Sequence, residues 1–179
     1  RPISTYTFAV STIPEITRDL IAGSSHTRII TIPEGWTIRD IANYLEREKI
    51  GDARAFASLS VNRLPPELME QFPVLGERPR AASLEGYLFP DTYHIFSDAP
   101  AEELIRRMLD NFSKKISFEI QEKIRKDNRA LYEVITMASM IEKEVVSDED
   151  RKIVAGILWK RIEMDMPLQV DATIIYIKK

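Results

Sequence analysis

The chain contains no cysteine, which excludes both a disulfide framework and a thiolate metal site. Only 2 histidines occur in its 179 residues. His26 and His94 are far apart and make a poor ligand set, so a zinc enzyme and a Cys/His nucleophile are excluded. No apolar run approaches the roughly 18 residues that a bilayer span requires. The start, Arg1-Pro2-Ile3-Ser4, neither begins with Met nor resembles a signal peptide, and the chain reads as a piece of a longer polypeptide. Excess charge is also scarce. The formal net charge is -3, with 25 Lys and Arg scattered among 28 Asp and Glu, so no basic stripe can follow a phosphate backbone and no nucleic-acid partner is expected.

What is present suits a compact domain. With 44% hydrophobic and 30% charged residues, the composition is that of a globular protein rather than a disordered or fibrous one. A weak internal repeat occupies the first fifty or so residues. Thr12-Ile13-Pro14-Glu15-Ile16 leads to Leu20, and Thr37-Ile38-Arg39-Asp40-Ile41 leads to Leu45. In each copy Thr can cap a helix, with an acid three residues on, and the Ile, Ile and Leu positions share one face. The β-prone stretches Tyr6 to Val10 and Arg28 to Ile32 precede the two copies, and Pro33-Glu34-Gly35 closes the second. The pattern predicts a small strand-helix, strand-helix module. Trp36, at the helix entrance, reads either as a hydrophobic staple or as a sugar platform.

Asp52 can cap a helix from Ala53 to Leu59, and Leu64-Pro65-Pro66 begins a helical turn ending near Phe72. Pro73 to Ser83 is rich in Pro, Arg and Gly and poor in periodicity, which divides the chain into residues 1–75 and 76–179. Helices are predicted from Pro100 to about Ser113, Phe118 to about Lys126, Arg129 to about Val146 and Asp148 to about Met164. The fold class is α+β, with a mainly helical second domain and a short β/turn region.

On a wheel of the helix starting at Leu131, Ile135 falls at about 40°, Ala138 at about 340°, Ile141 at about 280° and Val145 at about 320°. These positions define one apolar arc. Glu142 falls inside it, at about 20°, whereas Glu144 lies opposite at about 220°. A carboxyl aimed into apolar surroundings holds its proton more tightly and can serve as an acid near neutral pH. The alternative is a structural ion pair or an escape to solvent at the edge of the stripe.

Two further segments carry polar chemistry. Ser83 to Tyr93 interleaves Tyr87, Phe89 and Tyr93 with Glu85 and Asp91 around a Gly and a Pro-Asp turn. This composition suits stacking on sugars, or equally a half-buried strand and turn whose aromatics fill the core. Leu168 to Thr173 puts Gln169, Asp171 and Thr173 at alternate positions, and Asp171 can also cap a helical turn.

Leu84-Glu85-Gly86-Tyr87-Leu88-Phe89-Pro90-Asp91-Thr92-Tyr93, Ala138-Ser139-Met140-Ile141-Glu142-Lys143-Glu144 and Leu168-Gln169-Val170-Asp171-Ala172-Thr173 are similar, in order and spacing, to the three signature blocks of the MltG (YceG-like) endolytic murein transglycosylase family. The stretch Ile32 to Ala42 resembles that family's LysM-like part. The resemblance runs from about Tyr6 to Tyr176. It implies a LysM-like module with connecting helices over residues 1–75, and a C-terminally incomplete catalytic domain over 76–179.

The implied activity is cleavage of the β-1,4 bond between N-acetylmuramic acid and N-acetylglucosamine without water, leaving a 1,6-anhydro-muramyl end. By that resemblance Glu142 is the acid and then the base. Glu85, Tyr87, Phe89, Asp91, Tyr93, Ser139, Glu144, Gln169, Asp171 and Thr173 are the implied glycan contacts, and Glu85, Asp91 or Asp171 could stabilise oxocarbenium charge. Val145, Val170 and Ala172 depart from the pattern, in which Thr, Thr and Pro are common. The resemblance further implies a bacterial protein anchored in the cytoplasmic membrane by a single N-terminal helix absent from this chain. Its catalytic part would face the wall, near peptidoglycan synthases. No metal or organic cofactor is implied. A lysozyme-like hydrolase and a non-catalytic glycan-binding or scaffold module are the rival readings.

Overall fold

A computed structural model describes residues 27–62 and 64–171. The first repeat copy, its strand and Thr173 lie outside the described residues.

Strand β1, Thr27–Thr31, alternates an inward Ile30 with an outward Ile29 that is 65% exposed. Its partner is distant in sequence. β2, Thr92–Phe96, pairs with it antiparallel, Thr27 opposite Phe96 and Thr31 opposite Thr92. Tyr93 and Ile95 turn inward from β2, so this two-stranded sheet has one core face, as period-two side-chain alternation requires.

Helix α1, Ile38–Glu48, begins with the predicted capping box. The Thr37 hydroxyl accepts from the Asp40 amide at 3.2 Å, and the Asp40 carboxylate accepts from the Thr37 amide at 3.0 Å. Two helix-end donors are thereby satisfied. Ile38, Ile41 and Leu45 form the inward stripe of α1. α2, Ala53–Val61, is capped by Asp52, which accepts from the amides of Arg54 and Ala55 at 3.0 and 2.9 Å. α3, Pro66–Gln71, starts on a proline, and a single 3-10 turn, Pro73–Leu75, follows it.

α4, Ala101–Lys115, buries Leu104, Ile105, Met108, Leu109 and Phe112 at three-and-four spacing. It is the central helix of the core; truncating its fully buried Leu109 to Ala would cost about 2–5 kcal/mol. α5, Phe118–Lys126, is capped by Ser117 and buries no residue fully. α6, Leu131–Glu144, and α7, Asp148–Glu163, complete the described elements.

The predominantly helical fold with one small sheet is of the α+β class. Its packing does not divide at Pro73 to Ser83. β1 precedes that stretch and β2 follows it, yet they pair, and one apolar cluster includes residues from Ile30 through to Leu131. A second, smaller cluster comprises Met137, Ile141, Leu158 and Val170. The division between the two clusters falls partway along α6. Among the described residues, no helix is long and apolar enough to cross a membrane.

Candidate active site

The segment from Glu77 to Gly86 fastens two helices by their N-termini. Glu77 accepts a hydrogen bond from the amide of Leu131, the first residue of α6, at 3.2 Å. The two carboxylate oxygens of Glu85 accept from the amide of Ile38, the first residue of α1, at 3.3 and 3.2 Å. Exposed helix-end amides favour a negative charge, which explains both placements. Burial nevertheless lifts the Glu85 carboxyl above its ordinary range; the Ile38 amide opposes that shift and neighbouring Asp40 adds to it.

Gly86 follows with φ +82°, in the left-handed region, and a Cβ there would collide with Cγ2 of Ile135 on α6. Only glycine allows this approach. The first signature block therefore touches both the α1 entrance and the helix that carries the second block.

The aromatics of the first block divide unevenly. Tyr87 is 0% exposed, its ring tilted against Phe112 at 5.2 Å. Its hydroxyl has no hydrogen-bond partner among the described residues, and burial pushes its pKa up to about 12 against the opposing charge of Arg78. Tyr93, 6% exposed, donates to the Phe89 carbonyl at 2.5 Å and accepts from Asn111 at 3.3 Å. Burial raises its pKa as well.

The expectation that Tyr87 and Tyr93 stack on sugar is corrected here: both rings are core, because the block runs inward beneath α4. Phe89 is half-buried, with the Lys115 ammonium 5.6 Å from its ring centre. Asp91 is exposed and takes hydrogen bonds from the Thr92 amide at 2.7 Å and from Asn111 at 2.8 Å. Those two bonds, the Thr92 amide foremost, hold its carboxyl below the usual range, with a smaller contribution from Lys115.

Glu142 is exposed, which corrects the inward orientation expected from the wheel. The reason lies in the two clusters. Leu131, Tyr132 and Ile135 pack on the first, whereas Met137, Met140, Ile141 and Val145 pack on the second. Met137 and Ile141 fall at about 240° and 280°, so the buried face rotates along the helix instead of forming one arc. The row Leu131, Ile135, Ala138, Glu142 starts in the first core and runs out of it; Ala138, Ser139 and Glu142 emerge into solvent. Glu144 is exposed, as expected, and the Ser139 hydroxyl donates back to the Thr136 carbonyl at 2.8 Å.

One residue beyond Glu142, the Lys143 ammonium donates to the carbonyl of Gly35 at 3.2 Å. α6 thus meets the rest of the fold at Gly86 through Ile135 and at Gly35 through Lys143, points about 12 Å apart at ~1.5 Å rise per residue. Ser139 lies midway between them on the same side, and Glu142 borders Lys143. Sequence reasoning did not identify Lys143, Glu77 or Asn111. Their partners are distant in the chain, and although Lys143 lies within the second block, nothing local shows what it, Glu77 or Asn111 would meet.

The third block joins α6 through the second cluster, where Val170 sits with Met137 and Ile141. Gln169, exposed, adopts φ 53°, and its side-chain oxygen accepts from Arg161 at 3.3 Å while the same guanidinium nitrogen donates to the Leu168 carbonyl at 2.7 Å. Asp171 is exposed.

The three blocks, separated in sequence, therefore gather on α6. The profile of the YceG-like family matches residues 4–179. An endolytic murein transglycosylase of Streptococcus pneumoniae is 36% identical over 162 residues, covering 82% of this chain and 29% of that protein. One from Bacillus subtilis is 30% identical over 155 residues, 82% of this chain and 42% of its own length. The crystal structure of a YceG-like protein from Listeria monocytogenes matches with a TM-score of 0.69 at 27% identity, over 93% of this chain and 58% of that one. The chain spans less than half of these two curated relatives, but the family profile covers nearly all of it. With its signature residues converging on one helix, this chain belongs to the YceG-like family.

Proposed function

We propose that this chain forms the core of an endolytic lytic transglycosylase, in which Glu142 cleaves the β-1,4 bond between N-acetylmuramic acid and N-acetylglucosamine in peptidoglycan strands. The observation that carries this reading is the position of Glu142. It stands exposed on α6, between the Ile135–Gly86 and Lys143–Gly35 approaches, where a strand can reach it. The names of the relatives from Streptococcus pneumoniae and Bacillus subtilis support the reaction class.

The protonated Glu142 donates to the glycosidic oxygen as the bond to the anomeric carbon breaks. The resulting carboxylate takes the proton of the muramyl 6-hydroxyl while that oxygen bonds to the anomeric carbon, closing the 1,6-anhydro ring and restoring the acid. A strand bound over Glu142 would help to enclose the reacting bond. Because the nucleophile belongs to the substrate, one carboxylate suffices. This agrees with Glu85 and Asp91 being committed to the Ile38 amide and to Asn111 and Thr92. Either can add negative potential for oxocarbenium charge only from where those bonds hold it.

The remaining family expectations belong to the same proposal: wall binding by the LysM-like stretch, a membrane anchor outside this chain, action on the wall side of the bacterial cytoplasmic membrane, and peptidoglycan synthases as partners. Trp36 favours the packing role, since it is half-buried and meets Tyr44 edge-on at 5.4 Å. The exposure of Glu142 favours one competitor, a hydrolase that admits water.

The test is mass spectrometry of muropeptides released from peptidoglycan by the full-length protein and its Glu142→Gln variant. Anhydro-muramyl ends from the first and none from the second are expected. Reducing ends would make the enzyme a hydrolase, and undiminished cleavage by the variant would remove Glu142 from the chemistry.

A further inference from the structure

Beyond Ile135, α6 leaves the large core. Among the described residues, its remaining apolar side chains, Met137, Met140, Ile141 and Val145, pack with α7 and the Leu168 to Val170 segment in the second cluster. That second cluster includes no described residue of β1 or α1. The Lys143 ammonium does reach that part of the fold, crossing to the carbonyl of Gly35 in the turn between β1 and α1. That turn is itself restrained. β1 is paired with β2 on one side, and the α1 entrance is held by its capping box and by Glu85 on the other.

Gly35 fits the lysine on two counts. Its φ of +75° suits glycine, and a Cβ at this position would stand 2.6 Å from the Lys143 nitrogen. At ~100° per residue, Lys143 projects to a different side of α6 from Glu142, so it can hold the turn while leaving the carboxylate free for a strand.

We propose that Lys143 is a positioning residue that latches the end of α6 to the Gly35 carbonyl and thereby fixes Glu142 over the glycan path. The proposal rests on the assignment of Glu142 as the acid. A single exposed lysine-to-carbonyl bond adds little to folding, but a carboxylate displaced by about 1 Å from its target loses on the order of 10²-fold in rate. The latch should accordingly register in turnover and in local exchange, not in thermal stability.

The experiment uses the full-length protein with Lys143→Met, which keeps the stem and removes the donor, and Lys143→Arg, which keeps a donor. Turnover and KM are read from anhydro-muramyl ends, and amide hydrogen exchange is followed across residues 141–147. Lys143→Met should lower kcat by about tenfold or more with KM changed less than about twofold, speed exchange at the end of α6, and leave the melting temperature in place. Lys143→Arg should restore most of both losses. Wild-type turnover by Lys143→Met would overturn the latch while leaving the assignment of Glu142 intact. If the wild type forms no anhydro ends, the functional reading fails by itself, and the latch is then judged on exchange alone. Identical exchange in Lys143→Met and wild type would overturn it.

Discussion

Gly86 offers the sharpest test of how the first signature block is joined to α6. Replacing it with Ala imposes two penalties. A non-glycine residue in the left-handed region costs about 1–2 kcal/mol, and the new methyl meets Cγ2 of Ile135, an overpacking contact worth about 1–3 kcal/mol. The expected loss is about 2–5 kcal/mol, read from urea unfolding as a lower midpoint with an unchanged slope.

The two penalties can be separated, because Ile135→Ala removes the obstructing carbon and leaves the backbone strain. Ile135 is half-buried, so truncating it alone should cost about 1–2 kcal/mol. In the double variant the collision is absent, and the combined loss should fall short of the sum by about 1–3 kcal/mol. Additivity within ~0.5 kcal/mol would show that the loop and α6 do not meet in this way. The construction of the site from two glycine approaches would then fail.

Tyr87→Phe should be neutral or stabilising by about 1 kcal/mol, since it removes a buried hydroxyl that has no partner among the described residues. A lower melting temperature, or loss of glycan cleavage at unchanged stability, would contradict the core placement. Glu85 titrates in a definite direction. Its folded carboxyl binds the proton more tightly than the unfolded one, whose ordinary value is 4.5, so its contribution is fully present below pH 4.5 and is lost as pH rises through the folded value. Glu85→Gln keeps an oxygen for the Ile38 amide and cannot ionise. Its stability relative to wild type should therefore climb as the pH is raised from 4.5 toward neutrality, and a pH-independent difference in melting temperature would refute the cause assigned.

Local chemistry was the most legible part of the sequence. Thr37 with Asp40, Asp52 and the start at Pro66 announced three helix starts, because a cap is decided within four residues. The helix from Phe118 to Lys126 was equally plain from its period. The pairing of β1 with β2 was not, since it joins strands on either side of a stretch that looks like a linker and no local signal sets that register. The inward reading of Glu142 failed for a related reason. A helical wheel assumes one core per helix, and α6 serves two. Tyr87, Phe89 and Tyr93 could not be sorted into core and surface by composition, because all three are aromatic and only the path of the chain beneath α4 decides which ring is covered.

The transfer of α6 from one core to the other explains why the signature residues sit where they do. A helix wholly inside the larger core would bury position 142 and put its carboxyl out of reach of any strand outside. By leaving that core after Ile135, α6 keeps a well-packed beginning, tied through Leu131 to Glu77 and through Ile135 to Gly86, while presenting Ser139 and Glu142 at the seam. Among the described residues the second cluster is the smaller of the two supports, with four buried residues against twenty-three in the first. Hydrogen exchange should accordingly show the end of α6 and α7 opening before α4. On the proposed function, a glycan strand bound across the seam would contact both parts and favour the folded arrangement, so by mass action adding it should slow that opening.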